Sequence, residues 1–393
     1  MIDDRTYFLL AVFLSVVISL VIIKYISNEL GIELINSGRF TAIDGLRAYL
    51  SLFVFFHHFF IFYKWKESGK WEKPEILFID DLGQVSVAIF FIITGFLFIG
   101  KITSGRHFDF FSVYISRFFR IMPLYLLVVM ITLFYSFLLT GLSIQIPHSE
   151  LLKDIVRWLL FVGDSVNGYT DAKRITAGVT WTLKYEWLFY FSLPLLFLIL
   201  KNKVATTLII IVCMLLLINN FKFHSIIDSR YFIFFMIGGI SNYICKLLEN
   251  NIKLIEILRN RLISIILMVL LIYVFFSGVG IFNIFSIIIL LLFFIAIVCG
   301  NNLFGALTLK GARLLGEISY SIYLIHGCVI FSIFILMNKF SGLSLSEYLI
   351  LMPFVTIAVV FISSLTYRFI EAPCINIGKK IQNIYRFNGK KAL

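Results

Sequence analysis

Arg47 and His58 stand eleven residues apart, close to three whole helical turns, so both project from one face of an apolar stretch that opens at Asp44. At about 1.5 Å per residue His58 sits about 21 Å beyond Asp44. One helix therefore carries charge at its start and a titratable imidazole deep along its length, while His57 points elsewhere. Ionisable groups inside apolar sequence are costly, so such a histidine marks a functional position. An interfacial histidine pair with a snorkelling arginine is the plainer account of the same residues. Glu186, in Trp181-Thr-Leu-Lys-Tyr-Glu-Trp-Leu-Phe-Tyr190, sets a carboxylate near the end of another apolar stretch. It needs a partner or a raised pKa. Lys184 lies on a different face, so the rise predicts a partner on another helix, either His58 at similar depth or an arginine.

Further polar groups recur at helical spacing. Arg117 and Arg120, just before Pro123, share a helix face. Two guanidiniums there can grip phosphate bidentately, or simply anchor the chain at a membrane edge. Thr94 and Gly95 fall in an apolar segment beginning at Gly83, where small residues suit close helix packing or the passage of a slender ligand. Ser319, Tyr323 and His326 lie along one helix and are suited to interhelical hydrogen bonds. Arg368 and Glu371 read as an i, i+3 ion pair closing a last helix, with Pro373 as its stop.

The elements that position these groups are membrane spans. Hydrophobic residues make up 60% of the 393 and charged ones 14%, with a mean hydropathy of +0.98, whereas a soluble domain has about 25% charged residues. Apolar runs near 7–26, 44–63, 82–100, 121–141, 179–200, 204–221, 230–248, 261–277, 281–299, 314–337 and 349–369 predict about eleven spans in an all-α polytopic bundle. The first run lacks a basic flank and a cleavage site, so it reads as a retained helix and not a signal peptide. Connections after odd-numbered spans hold most of the Lys and Arg, which predicts an external amino terminus and a cytoplasmic carboxyl terminus.

That asymmetry accounts for most of the formal +12 charge, and no basic module interleaved with aromatics suggests nucleic acid. Two long connections, 64–81 and 142–178, are expected outside; the second includes an amphipathic stretch from Leu151 to Phe161. The basic tail at 374–393 reads as a cytoplasmic segment on the membrane surface. Cys213, Cys245, Cys299, Cys328 and Cys374 are scattered through apolar sequence, with neither metal-ligand nor disulfide spacing.

Taken in order, these motifs resemble acyltransferase family 3, the O-antigen O-acetylase type. The resemblance is carried by Asp-Gly-Leu-Arg47 with His58 downstream, Phe-Phe-x-x-Thr94-Gly95-Phe, Arg117 and Arg120 before Pro123, Trp-x-Leu-x-x-Glu186-x-x-Phe-Tyr, Ser319-Tyr-x-x-Tyr323-Leu-x-His326 and Ile-Glu371-x-Pro. It spans 39–373, with 1–38 as an added span and its connection. Threonine stands at Thr94 and Thr182 where the family usually has serine. The resemblance implies a multi-pass protein of the bacterial cytoplasmic membrane that moves an acetyl or other short acyl group from cytoplasmic acyl-CoA to a hydroxyl of a surface carbohydrate. On that reading acetyl-CoA is a donor substrate and no cofactor stays bound. Arg117 and Arg120 hold the CoA phosphates, with Arg47 and Asp44 at the entrance, and His58 is the base or acyl carrier, oriented by Glu186. Thr94, Gly95, Ser319, Tyr323, His326 and Glu371 support them. The rival from another class is a transporter or flippase of lipid-linked glycans, which would need no acyl-CoA.

Overall fold

In the computed structural model the residues described are 4–34, 40–74, 76–104, 108–200, 222–223, 227–336 and 342–391. Arg39, Cys213 and the expected span at 204–221 lie outside them. The described chain is almost entirely helical: α1 (Asp4–Leu30), α2 (Thr41–Ser68), α3 (Leu77–Ile102), α4 (Phe110–Leu139), α5 (His148–Leu159), α6 (Ala172–Ile175), α7 (Trp181–Leu200), α8 (Phe232–Leu248), α9 (Ile252–Arg259), α10 (Arg261–Phe276), α11 (Ile284–Val298), α12 (Lys310–Glu317), α13 (Ser319–Phe331), α14 (Leu345–Ile350), α15 (Met352–Thr366) and α16 (Ala372–Lys391). Among the described residues seven helices are long and apolar enough to cross a membrane, or up to nine if each of two bent pairs makes one span. Those pairs are α9 with α10, bent by 59°, and α12 with α13, bent by 71°.

Helices α2 and α3 form the centre. Phe55, Phe56 and Phe59 of α2 and Val85, Ala88 and Ile92 of α3 are fully enclosed, and α8, α12 and α13 pack around the pair. The periphery inverts the pattern of a soluble protein. Phe13, Phe134, Leu198 and Phe276 point outward, as lipid-facing side chains must when the surrounding solvent is hydrocarbon.

Lipid supplies no hydrophobic drive between helices, so close backbone approach and hydrogen bonds hold them together. Glycines make the approach. A Cβ on Gly95 of α3 would collide with the Phe235 carbonyl of α8, and one on Gly238 of α8 would meet the Ile92 carbonyl in return. The start of α2 is clasped in the same way: a Cβ on Gly316 would strike the Asp44 backbone, and one on Gly45 the Leu307 carbonyl.

Helix boundaries depart from hydropathy in two places. Helix α4 begins at Phe110, so Arg117 and Arg120 belong to the helix itself and not to a connection preceding the span. The expected stop at Pro373 is also corrected. A π-turn at Tyr367–Glu371 leads directly into α16. Pro373 is the second residue of the new helix, where a missing N–H is tolerated. The tail is thus a helix lying along α4, with Gln382 Nε2 donating to the Ser112 carbonyl at 3.1 Å.

Candidate active site

Three cavities lie along α2. The largest, about 870 Å³, surrounds its first turns and the start of α4. Arg47, Lys101, Arg117, Arg120, Lys246 and Arg386 line it against only two carboxylates, Asp44 and Asp109. Arg117 lies with its guanidinium 5.0 Å from the Phe98 ring centroid and 6.0 Å from that of Tyr190. Its Nε is buried and has no hydrogen-bond partner among the described residues. The same guanidinium hydrogen-bonds with the Tyr190 side chain, which holds it at the chamber wall. Lys246 is positioned by Thr103, its Nζ donating to the hydroxyl at 3.0 Å and to the carbonyl at 3.2 Å.

Asp109 fixes the frame of this cavity. Its carboxylate caps α4, accepting from the Ser112 N–H at 3.0 Å and from the Ser112 hydroxyl, and pairs with Arg386 of α16 at 3.5 Å. Partial burial by itself raises the Asp109 carboxyl, but Ser112 and Arg386 outweigh it and hold the group below the usual carboxylate range.

A small cavity of about 60 Å³ shares Arg47 with the basic chamber and continues between α3, α7 and α13. Glu186, Thr182, Phe90, Ser319, Tyr320 and Tyr323 are among its walls. The Thr182 hydroxyl meets the Tyr323 hydroxyl at 2.9 Å, and Tyr320 donates to the Ile121 carbonyl at 2.9 Å. Beyond Tyr323, whose ring centroid is 6.4 Å from that of His326, lies the third cavity. It measures about 570 Å³. His57 and His58 stand on its inner wall, with Trp71, Lys73, Asp80, Asp164, Arg174, Trp181 and Tyr231 around it.

The two adjacent histidines do different things. His57 Nδ1 faces the Ile79 carbonyl at 2.7 Å, which ties α2 to α3. His58 Nδ1 faces the Val54 carbonyl of its own helix at 2.9 Å and His326 Nε2 of α13 at 3.2 Å. His326 is fully enclosed. One helix thus runs from a cationic chamber to a chamber with a half-buried imidazole on its wall, and a slender gap lies between them. The arrangement suits a reaction that holds a polyanionic donor at one end and activates a hydroxyl at the other.

Residues 40–368 match the family model described as an acyltransferase domain, which covers most of the chain. The chain belongs to the acyltransferase 3 family. It is therefore a multi-pass membrane protein of an acyltransferase family. No curated protein and no solved structure matches it.

Within this acyltransferase the residues singled out from sequence fall into three groups. Asp44, Arg47, Arg117 and Arg120 gather at the basic chamber, while Glu186, Ser319 and Tyr323, with Arg47 again, line the gap. His58 and His326 meet at the far chamber. The expected pairing of His58 with Glu186 is not what the structure shows. His326 lies against His58, whereas Glu186 turns into the gap and accepts from Tyr190 at 2.9 Å. Helical rise gives depth along one axis only; tilt and facing decide the partner.

The Arg368–Glu371 ion pair is likewise replaced. The π-turn widens the helix there, leaving Arg368 exposed and Glu371 enclosed, and Glu371 accepts from the Ser321 hydroxyl. Thr94 bonds back to the Phe90 carbonyl at 3.0 Å, and Gly95 serves the crossing with α8. Sequence reading passed over Lys101, Lys246 and Arg386 of the basic chamber. Lys101 and Lys246 sit in the last turns of α3 and α8, where positive charge is expected for topology alone, Arg386 lies within the basic tail helix, and nothing in their spacing marks them.

Proposed function

We propose that the protein is a membrane O-acyltransferase that takes an acetyl or other short acyl group from acyl-CoA at the basic chamber and delivers it to a carbohydrate hydroxyl at the histidine chamber. One observation carries this reading: a cation-lined chamber and a histidine-walled chamber lie at two ends of a single helix, with a slender gap between. CoA is rich in phosphate, and Arg117, Arg120, Arg47, Lys101, Lys246 and Arg386 supply the charge to bind it. The pantetheine arm would run through the gap beside Glu186 and Tyr323. From Arg47 to His58 the rise along α2 is about 16 Å.

His58 acts as general base in this scheme. It takes the proton of the acceptor hydroxyl while that oxygen attacks the thioester carbonyl carbon. A C–O bond forms, the C–S bond breaks, and the CoA thiolate leaves and recovers the proton from His58. Trp71, Trp181 and Tyr231 offer flat apolar faces, and Asp80 and Asp164 offer acceptors, which together suit a sugar. The charge rule supports a cytoplasmic basic chamber and an external histidine chamber.

The test is acetyl transfer from radiolabelled acetyl-CoA to extracted surface glycan by the purified protein in lipid. His58→Ala is expected to lower the rate by about 10²–10⁴-fold. Arg117→Ala is expected to raise the KM for acetyl-CoA by about tenfold or more, the loss of a charged hydrogen bond. Undiminished transfer by His58→Ala would remove the histidine from the mechanism. Glycan movement across the membrane with no dependence on any acyl-CoA would favour a transporter.

A further inference from the structure

We propose that His326 is a positioning residue that fixes the tautomer of His58, keeping the proton on His58 Nδ1 and the lone pair on Nε2. The inference rests on the acyltransferase reading for its purpose but on hydrogen-bond geometry for its content.

A chain of acceptors sets the protons on both rings. In a neutral imidazole one nitrogen carries hydrogen and the other a lone pair, and the partner of each decides which. His326 Nδ1 faces the Ile322 carbonyl at 3.0 Å. A carbonyl can only accept, so the His326 proton is on Nδ1 and its Nε2 presents a lone pair. That lone pair faces His58 Nδ1 at 3.2 Å. The Val54 carbonyl faces the same His58 nitrogen at 2.9 Å. Two acceptors converge on one atom, so His58 Nδ1 must be the N–H. His58 Nε2 is then unprotonated, and no protein group among the described residues hydrogen-bonds to it.

Position and burial favour a lasting role. His58 is half-buried at the wall of the far chamber, whereas His326 is enclosed on every side, with its ring centroid 5.1 Å from that of His58 and 6.2 Å from that of Phe55. His326 therefore reaches no substrate and acts through His58. Its own position is secured because α13 approaches the α6 segment closely at Gly327, where a Cβ would collide with the backbone of Thr176 and Ala177. When His58 takes a proton at Nε2, both acceptors still face Nδ1–H and stabilise the imidazolium. The Val54 carbonyl alone would orient the ring but would leave the charge with one acceptor in place of two.

The experiment is ¹⁵N solid-state NMR of histidine-labelled full-length protein in lipid, with the His58 signal assigned by its loss in His58→Gln. Wild type is expected to show a neutral Nδ1–H ring at His58. His326→Phe keeps a ring in the space but removes the acceptor. It is expected to broaden or shift that signal and to lower kcat by about tenfold or more, with the KM for acetyl-CoA within about twofold. His326→Gln restores an acceptor near the position of Nε2 and is expected to recover part of both. An Nε2–H tautomer in wild type, or an unchanged His58 signal in His326→Phe, would overturn the assignment. The same holds if kcat in His326→Phe stays at the wild-type value. The ring state is read without any turnover, so failure to find an acceptor substrate would count against the transferase reading and leave this one standing.

Discussion

A methyl group at Gly83 would fall 2.7 Å from the His57 ring, which is already tied to the Ile79 carbonyl at 2.7 Å. The ring cannot swing away without losing its bond, so Gly83→Ala is expected to destabilise the protein by about 1–3 kcal/mol, the usual cost of overpacking. Thermal unfolding in detergent should show this as a lowered Tm; an unchanged Tm would mean that the α2–α3 seam is looser than described. The example also marks what residue types can reveal. Arg47 and His58 were legible because eleven residues is a helical repeat and both are out of place in apolar sequence. The partner of His58 was not legible, since His326 lies 268 positions away and only packing joins them. Glu186 shows the converse, a carboxylate recognisable as significant whose immediate partner, Tyr190, is an ordinary neighbour on its own helix.

Asp109 joins the first turn of α4 to α16, and Asp109→Ala removes an N-cap and an ion pair at once. A loss of about 1 kcal/mol is expected from the cap alone, read again as Tm. Because the folded carboxyl lies below its ordinary value, its contribution is complete above the unfolded pKa of about 4 and is lost as pH falls through the folded one. The Tm gap between wild type and Asp109→Ala should therefore begin to narrow only as pH falls below about 4, while the folded carboxyl takes up its proton, and a gap that stays constant through that titration would disprove the linkage. Hydropathy found the apolar middle of each described span but misplaced the ends of two. The first turns of α4 are polar because they wall a chamber, and the π-turn before Pro373 has no signature in apolar content. The bends between α9 and α10 and between α12 and α13 were invisible for a related reason: an apolar run has no direction.

At the scale of the molecule, all-α membrane architecture followed directly from composition, because a chain with this apolar content must satisfy its backbone within helices. Against the expected eleven spans, the described residues hold seven to nine candidates, with α11 a shorter apolar helix of 15 residues and 204–221 outside the description. The tail, expected as a basic cytoplasmic segment on the membrane surface, packs along α4, and its Arg386 joins the wall of the basic chamber. Arg386→Ala is expected to raise the KM for acetyl-CoA by about two- to tenfold, with an effect that shrinks at high salt as partly exposed charges are screened. Steady-state kinetics at two ionic strengths checks this; equal KM values for variant and wild type would return the tail to a purely structural role.

The slender gap between the chambers bears on something apart from catalysis. A protein that connects two wide aqueous recesses across a bilayer risks becoming a leak for protons and sodium, and with it the loss of the cell's stored electrochemical gradient. Here the narrowest part, about 60 Å³, is bounded by Phe90, Phe91 and Tyr323 and by the guanidinium of Arg47. Bulky rings leave little room for a continuous water file, and a fixed positive charge repels cations that enter. On the proposed reading, the residues that would pass the pantetheine arm through the bundle would also limit ion leakage.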